Sequence, residues 1–284
     1  MKKFYIISNE LKDKDFVITN RIINILKDNR IECYVNKIMY NSSKEESRYT
    51  YAHDVEDDTD CIIVIGGDGT LIQAARDLAA VDIPMIGVNL GHLGYLAEIE
   101  RENLEEMILM IIRENYKIES RIMLNGSVYR DGKKIYSDIA LNDIVCARSG
   151  AIRVIDLKVY VNDEYLKLYS ADGVIISTPT GSTAYNLSAG GPILEPGANI
   201  IVITPICSHT LGARSIVLSA NSSISIEICE DRHIEDNGTG VYFDGQLYPL
   251  LPGDIIKIEK SDRDTKIMKL NRMSFVEVLH NKMD

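Results

Sequence analysis

The first third of the chain alternates short apolar runs with stretches whose apolar residues recur at helical spacing. The clearest runs are Phe4 to Ser8, Cys61 to Ile65 and Pro84 to Val88. Short β-branched runs of this kind predict buried strands of a parallel sheet. A helical stripe follows the second run and consists of Leu71, Ala74, Ala75 and Leu78. Strands separated by helices predict an α/β domain with a parallel sheet over residues 1–118.

The pattern changes from about residue 118 onward, where apolar and polar residues begin to alternate. Asp131-Gly132 and Asn162-Asp163 lie between alternating runs, which is typical of β-hairpins. The runs Ile200 to Thr204 and Asp254 to Lys260 also indicate strands. The sequence therefore predicts a mostly β domain over residues 119–261.

Length and charge limit the classes of protein that fit. The 284 residues correspond to roughly two domains at about 150 residues each. With 31 basic and 42 acidic residues, the net charge is −11, which argues against a general nucleic-acid binder or a protein held on a membrane by charge. The negative net charge does not exclude polyanionic small substrates, because such substrates are held by local groups. Residues 54–60 form an acidic stretch that favours a solvated loop, with a functional acidic patch as the alternative.

The apolar runs and the cysteines bear on where the protein acts. No run approaches the ~20 residues that span a bilayer, and the first ten residues turn polar too soon for a signal peptide. The five cysteines contain no Cys-x-x-Cys pair, which disfavours a disulfide framework or a zinc ribbon. No histidine has a partner at ligand spacing, so we expect no metal bound directly by the protein. A cytoplasmic protein with free thiols is expected.

The first chemical signal is Gly66-Gly67-Asp68-Gly69-Thr70, between a predicted strand and a predicted helix. Glycines allow a sharp turn and a close approach of the backbone to a ligand. The following helix N-terminus offers N–H groups to a phosphate. A structural turn with Asp68 as helix cap is the alternative. Neither a Walker A motif nor a Gly-x-Gly-x-x-Gly motif is present in the sequence.

The second chemical signal is the stretch from Asp172 to Pro192, in which a strand leads into a loop rich in hydroxyl groups, glycine and proline. Seven Ser, Thr and Tyr hydroxyls lie between residues 177 and 188. These groups suit phosphate and ribose oxygens without adding net charge, and Tyr185 suits stacking on a base. The alternative is a turn whose hydroxyls bond within the protein.

In order and spacing, the Gly66–Thr70 stretch, Asn142-Asp143 and residues 172–192 resemble the NAD kinases. The glycine stretch is shared with diacylglycerol and sphingosine kinases and with phosphofructokinases. Thr-Pro-Thr-Gly-Ser-Thr-Ala-Tyr followed by Gly-Gly-Pro is much more particular to NAD kinases. Gly91-His92-Leu93-Gly94-Tyr95 and Asp244-Gly245-Gln246 also fit. The resemblance runs from about residue 3 to 280.

The resemblance implies a fold and an assembly. It implies an α/β N-terminal domain, a sandwich-like β C-terminal domain, and a tail over residues 262–284 that returns to the first domain. Members of the family are homotetramers or homodimers, so the same is expected here.

The reaction implied is transfer of the γ-phosphoryl group of ATP to the adenosine 2′-hydroxyl of NAD. Such a transfer needs positioning and charge neutralisation more than covalent chemistry. Asp68 matches the family's proposed general base, and Mg²⁺ or another divalent cation is expected to arrive on ATP.

Matching residue by residue, the resemblance implies an NAD site and a phosphate site. The NAD site comprises Asp68, Gly69, Tyr95, Asn142, Asp143, Arg153, Asp172, Thr183, Ala184, Tyr185, Asn186, Leu187, Ser188 and Gln246. The phosphate site comprises Gly66, Gly67, Gly69 and Thr70. This chain departs from the family where Asp143 stands in place of the usual Glu, a side chain shorter by one methylene.

Two alternatives remain beside an NAD kinase. One is a kinase of the same superfamily that acts on a lipid or sugar phosphate, which the 172–192 stretch disfavours. The other is a catalytically silent NAD sensor, which the presence of Asp68 disfavours. Composition does not decide whether polyphosphate also serves as donor, whether NADH is accepted, or how products regulate the protein.

Overall fold

The structure is a computed structural model that describes residues 1–38, 48–91, 94–150, 154–210, 212–229, 238–270 and 273–283. The chain divides into two compact units. The first unit contains residues 1–121 and 264–284, and the second contains residues 122–263. Within the described residues, no helix combines the length and apolarity that a membrane crossing requires.

The N-terminal part of the first unit alternates strands and helices. The strands are β1 (Lys3–Asn9), β2 (Glu32–Ile38), β3 (Cys61–Ile65), β4 (Met85–Asn89) and β5 (Ile99–Glu100). The helices are α1 (Val17–Asp28), α2 (Asp68–Asp77) and α3 (Leu104–Ile112). Single 3₁₀ turns lie at Lys14–Phe16, Ala52–Asp54 and Arg101–Asn103.

The remaining elements are mainly strands. They are β6 (Lys117–Arg130), β7 (Lys133–Ala140), β8 (Asp143–Arg148), β9 (Ile155–Val161), β10 (Glu164–Ala171), β11 (Gly173–Ser177), β12 (Ile200–Ile206), β13 (Ile216–Ser219), β14 (Ile224–Ile228), β15 (Thr239–Phe243), β16 (Gln246–Leu250) and β17 (Ile255–Lys269). A 3₁₀ turn at Gly181–Thr183 precedes the short helix α4 (Tyr185–Ser188), and α5 (Phe275–Met283) ends the described chain.

A parallel sheet forms the centre of the first unit. Its strands run in the order β2, β1, β3, β4, and β4 also pairs in parallel with β5 and with the end of β17. Every residue of β1, β3 and β4 is buried, as expected for parallel strands covered on both faces. Ile22 of α1 and Ile108 of α3 pack into the same core. The predicted α/β domain with a parallel sheet is therefore confirmed.

Two antiparallel strand layers form the second unit. One has the order β13, β12, β11, β8, β15, β16, and the other contains β10, β9, β14 and β17. Side chains of both layers, such as Ile176 and Phe243 from the first and Val159 and Ile226 from the second, share one core. This is the sandwich-like β domain that the resemblance implies, and the predicted fold class is confirmed.

Both predicted hairpins are confirmed. Asp131 and Gly132 join β6 to β7, with φ of 50° and 74°. Asn162 and Asp163 join β9 to β10, with φ of 51° and 65°. Left-handed residues at both central positions match the twist of the flanking strands, and Asp, Asn and Gly tolerate that conformation best.

The acidic stretch 54–60 is tied to the first strand. Its Glu56 and Asp58 side chains are exposed, as predicted, yet each accepts a hydrogen bond of 2.6 Å from the buried Nζ of Lys3. These two bonds raise the pKa of Lys3. The carboxylate of Asp60 accepts the backbone N–H groups of Lys2 and Lys3 at 2.5 and 3.0 Å. The stretch therefore anchors the loop before β3 to the start of β1.

Candidate functional site

The first predicted site lies where β3 ends and α2 begins. A Cβ atom on Gly66 would lie 2.4 Å from Oγ1 of Thr70, so no larger residue fits there. Cβ atoms on Gly67 and Gly69 would meet no atom of the described part of the chain within 4 Å. Open space beside these backbone amides, at the N-terminus of a ten-residue helix, suits the approach of a phosphate group.

The Asp68 carboxylate turns away from its own helix and bonds to another loop. Its Oδ2 accepts the N–H of Tyr95 at 2.7 Å, and its Oδ1 accepts the N–H groups of Leu96 and Ala97, each at 3.2 Å. Gly67 is the residue before the helix, and no side chain caps that end. The alternative of Asp68 as helix cap is therefore wrong. A carboxylate has about four acceptor positions, so three are used and one is left.

Gly94 makes this arrangement possible. A Cβ atom at that position would overlap the Asp68 carboxylate, lying 2.0 Å from Oδ1. The half-buried Tyr95 follows it, and its ring lies 4.6 Å from the Nζ of Lys282 in α5. Burial, and then the charge of Asp68, raise the pKa of the Tyr95 phenol. Asp68, Gly69 and Tyr95 thus belong to one cluster of the first unit.

The second unit brings together two segments that the sequence predicts separately. Asp143 pairs with Ser177 where β8 begins and β11 ends. The N–H of Thr178 donates to the carbonyl of Asn142 at 2.8 Å. A Cβ atom on Gly181 would lie 2.2 Å from that same carbonyl oxygen. Asn142-Asp143 and the loop after β11 are therefore in contact.

Asp244 organises this contact and was not among the predicted site residues. Its carboxylate accepts the N–H groups of Leu141, Asn142 and Asp143 at 2.7, 2.8 and 3.0 Å. The Asp143 side chain is buried, and burial together with the charge of Asp244 raises its pKa to about 7. Oδ1 of Asn142 is buried and has no hydrogen-bond partner among the residues that the structure describes, which is costly unless a donor reaches it.

Arg148 and Asp172 form an ion pair in the same unit. The Asp172 carboxylate accepts hydrogen bonds from Nε and Nη2 of Arg148 at 3.0 and 3.3 Å. Burial and then the neighbouring Cys207 and Asp172 raise the pKa of Tyr185. Arg148 and Cys207 therefore join Asp172 and Tyr185 in one cluster. Neither residue was among the predicted site residues; for Arg148, only the pairing of Ala147 with Gly173 shows that it is a neighbour of Asp172.

The hydroxyl-rich loop is divided between interior and surface. Ser177, Thr178 and Ser182 are buried and donate to backbone carbonyls. These three hydroxyls bond within the protein, as the structural alternative expects. Thr183 and Ala184 are half-buried, while the exposed surface of the loop includes Tyr185, Leu187 and Ser188.

The side-chain amide of Asn186 bonds within the protein. Its side chain is fully buried, and its Nδ2 donates to the carbonyls of Ser182 and Pro192 at 3.1 and 3.0 Å. Its Oδ1 accepts the hydroxyl of Thr204 at 2.7 Å. The amide is committed to the interior, and the contact of Asn186 with NAD stays a prediction.

The remaining predicted residues have simpler positions. Gln246 is half-buried at the start of β16, directly after the turn at Asp244 and Gly245. Arg153 lies outside the described residues, as do His92 and Leu93 of the Gly91–Tyr95 motif. Within the described part of the chain, no group of three or more His, Cys, Asp and Glu residues is placed to hold a metal ion.

Comparison with protein families gives two matches that together cover most of the chain. Residues 4–116 match the ATP-NAD kinase N-terminal domain, and residues 141–270 match the ATP-NAD kinase C-terminal domain. The NAD kinase of Lachnospira eligens is 45% identical over 293 residues, covering 100% of both chains. The NAD kinase of Lachnoclostridium phytofermentans is 42% identical, covering 99% of both chains.

Two solved structures share the fold. The yeast NADH kinase complexed with NADH superposes with a TM-score of 0.88 and 23% identity, covering 100% of this chain and 87% of that chain. An NAD kinase from Archaeoglobus fulgidus in complex with ATP gives a TM-score of 0.77 and 23% identity, covering 99% and 98%. The fold and the family matches define a phosphotransferase. The chain belongs to the NAD kinase family.

Proposed function

We propose that this protein transfers the γ-phosphoryl group of ATP to the 2′-hydroxyl of the adenosine ribose of NAD, giving NADP and ADP. The observation that carries the proposal is the match to NAD kinases over the whole chain, 45% identical with 100% coverage of both. The glycine turn with its fixed carboxylate, at the N-terminus of α2, supplies the chemistry that such a transfer requires.

Asp68 acts on the attacking hydroxyl. Three backbone N–H groups hold its carboxylate in one orientation, and its remaining acceptor position takes the 2′-hydroxyl proton. The 2′-oxygen then bonds to the γ-phosphorus, while the bond from that phosphorus to the β,γ-bridging oxygen breaks and ADP leaves. The proton passes from Asp68 to solvent after the product departs.

The phosphates of ATP meet the open backbone of the glycine turn. Gly66, Gly67, Gly69 and Thr70 are the proposed phosphate site, supported by the open space beside Gly67 and Gly69 and by the favourable dipole at the N-terminus of α2. Mg²⁺ or another divalent cation comes with ATP as part of the substrate, where it neutralises phosphate charge.

The second unit recognises NAD. The exposed ring of Tyr185 offers a stacking face, and the unpartnered Oδ1 of Asn142 requires a donor such as a ribose hydroxyl or an amide. The further contacts proposed in this unit are Asp143, Arg153, Asp172, Thr183, Ala184, Asn186, Leu187, Ser188 and Gln246, and Gly69 and Tyr95 of the first unit are proposed as well. The complex solved for the yeast NADH kinase contains NADH, and a bound dinucleotide is consistent with this role.

The cellular location and the assembly are also part of the proposal. We place the enzyme in the cytoplasm, where its five free thiols stay reduced, as a homodimer or homotetramer. Light scattering coupled to gel filtration measures the assembly.

ATP is the proposed phosphoryl donor. Replacing ATP with inorganic polyphosphate in an assay of NADP formation determines whether the donor range is wider.

The test is formation of NADP from NAD, ATP and Mg²⁺, read with an NADP-specific dehydrogenase. Product that requires all three components supports the proposal. Diacylglycerol, sphingosine and fructose 6-phosphate are offered in parallel as acceptors, with ADP release as the readout. ADP release with one of these acceptors and none with NAD would replace the proposal with the other kinase class. Saturable NAD binding without turnover would indicate a sensor.

A further inference from the structure

The loop that holds Asp68 is itself held from the other side. Glu98 follows the three N–H donors, and its carboxylate accepts bonds from Nζ of Lys269 at 2.5 Å and from the N–H of Leu270 at 3.3 Å. The N–H of Glu98 donates to the carbonyl of Gly87 at 3.1 Å. The end of β17 and the middle of β4 therefore fix one side of this loop.

The other side of the loop faces the C-terminal helix. Gly94, Tyr95, Ala97 and Glu98 line a small cavity of about 60 Å³ together with Met273 and Val278 of the C-terminal segment. Lys282 reaches the Tyr95 ring, with 4.6 Å between Nζ and the ring centroid. Because the Tyr95 N–H is the shortest bond to Asp68, at 2.7 Å, the same residue joins the helix to the carboxylate.

Helix α5 is capped at its N-terminus but has little contact with the rest of the unit. Ser274 and Glu277 form a reciprocal cap, in which the N–H of Ser274 donates to Glu277 at 2.6 Å and the N–H of Glu277 donates to the Ser274 hydroxyl at 3.2 Å. None of the α5 side chains that the structure describes is buried. A helix without buried side chains depends on contacts at its edge, and the Lys282–Tyr95 contact is one of them.

We propose that Lys282 is a positioning residue for phosphoryl transfer, which acts through the Tyr95 ring to hold the Tyr95–Ala97 backbone and, through it, the Asp68 carboxylate. The proposal rests on the proposed function, because the carboxylate that it positions is the one assigned to the attacking hydroxyl. Lys282 touches neither the carboxylate nor a reacting atom. The C-terminal helix supports the kinase site through the contact of Lys282 with the Tyr95 ring.

The test compares Lys282→Ala, Lys282→Arg and the matched control Asn281→Ala in the full chain. Asn281 is the exposed neighbour of Lys282 on the same helix. We expect Lys282→Ala to lower kcat about two- to fivefold, the size of one exposed cation–π contact. KM for NAD and the melting temperature should change little. Lys282→Arg should keep the wild-type kcat, because a guanidinium group also binds an aromatic face.

A double-mutant cycle with Tyr95→Leu decides whether the effect passes through the ring. If it does, Lys282→Ala lowers kcat further by less than about 1.5-fold in the Tyr95→Leu background. Equal losses in both backgrounds would overturn the proposal. So would a loss in Asn281→Ala as large as in Lys282→Ala, which would indicate a general effect of the helix.

Hydrogen exchange of the peptide covering residues 94–98 tests the positioning without reference to activity. We expect faster exchange in Lys282→Ala and wild-type exchange in Lys282→Arg and Asn281→Ala. If the wild-type protein forms no NADP, the proposed function fails, and this exchange measurement alone decides the inference. Exchange that is unchanged in Lys282→Ala overturns it.

Discussion

The carboxylate of Asp244 accepts the backbone N–H of Asp143 at 3.0 Å, so the buried side chain of Asp143 lies beside a second acid. Asp244 also accepts the N–H groups of Leu141 and Asn142. Three backbone N–H groups therefore stabilise the charge of Asp244. The Asp143 carboxylate, in contrast, is buried next to that charge. This difference has consequences for stability.

Asp143→Asn should change how stability depends on pH. Burial and the charge of Asp244 raise the pKa of Asp143 to about 7 in the folded protein, from about 3.9 in an unfolded chain. The folded state therefore binds more protons than the unfolded state between these values. The free energy of unfolding should fall as pH rises from about 4 to about 7.

The Asp143→Asn variant has no carboxyl group to titrate there, so its free energy of unfolding does not fall between pH 4 and pH 7. It should therefore be more stable than the wild type at pH 8 and no more stable at pH 4. The expected difference at pH 8 is about 1 to 4 kcal/mol, at about 1.4 kcal/mol per pKa unit. Urea unfolding at both pH values measures it. Asp262→Asn, at an exposed residue, is the control and should follow the wild type. A constant difference across pH would contradict the prediction.

Asp68→Asn should abolish NADP formation while NAD still binds. An amide accepts no proton from the 2′-hydroxyl, so kcat should fall by at least about 10²-fold. Its Nδ2 would also face an N–H donor where the carboxylate now accepts bonds from Tyr95–Ala97. Calorimetry with NAD and a melting curve separate the two effects. Full activity in this variant would show that the assigned base is wrong.

Gly94→Ala should be far more damaging than Gly91→Ala. The new Cβ at position 94 would lie 2.0 Å from the Asp68 carboxylate, whereas a Cβ at position 91 meets no atom of the described residues within 4 Å. Displacement of the carboxylate or of its donors should lower kcat at least about tenfold. Steady-state kinetics of both variants give the comparison. Similar losses in both would mean that glycine is needed here for chain flexibility, and not for room.

Arg148→Met should weaken NAD binding more than it weakens the fold. Arg148 shares a bidentate pair with Asp172, and both side chains are about one-quarter exposed. Such a partly solvated pair contributes modestly to stability, so the loss of unfolding free energy should stay below about 1 kcal/mol. KM for NAD should rise several-fold, because Asp172 is released beside Tyr185. Arg148→Lys should raise KM for NAD less than Arg148→Met does, since Lys keeps the charge but lacks the planar guanidinium that binds both carboxylate oxygens. An unchanged KM in Arg148→Met would remove Asp172 from the NAD site.

Local sequence was sufficient wherever neighbours along the chain set the geometry. The two hairpin turns follow from Asp-Gly and Asn-Asp at positions that require positive φ. The strand, glycine turn and helix at residues 61–77 follow from an apolar run, glycines and a helical stripe. Residues 142–143 and 172–192 were recognised by their likeness to a family, and the structure places them in contact.

Distant pairings were outside the reach of the sequence. The donors around Asp68 lie 27 to 29 residues further along the chain, and Lys282 reaches the same loop from the C-terminal helix. The register of β8 with β11 places Arg148 beside Asp172, and the packing of Thr204 against Asn186 removes that amide from the surface. Composition and periodicity report what each residue prefers locally, so they determined the elements and the chemical types at the site. Tertiary structure decided which of those groups bond to one another and which are left for a ligand, because strand register and helix docking depend on residues far apart in the chain.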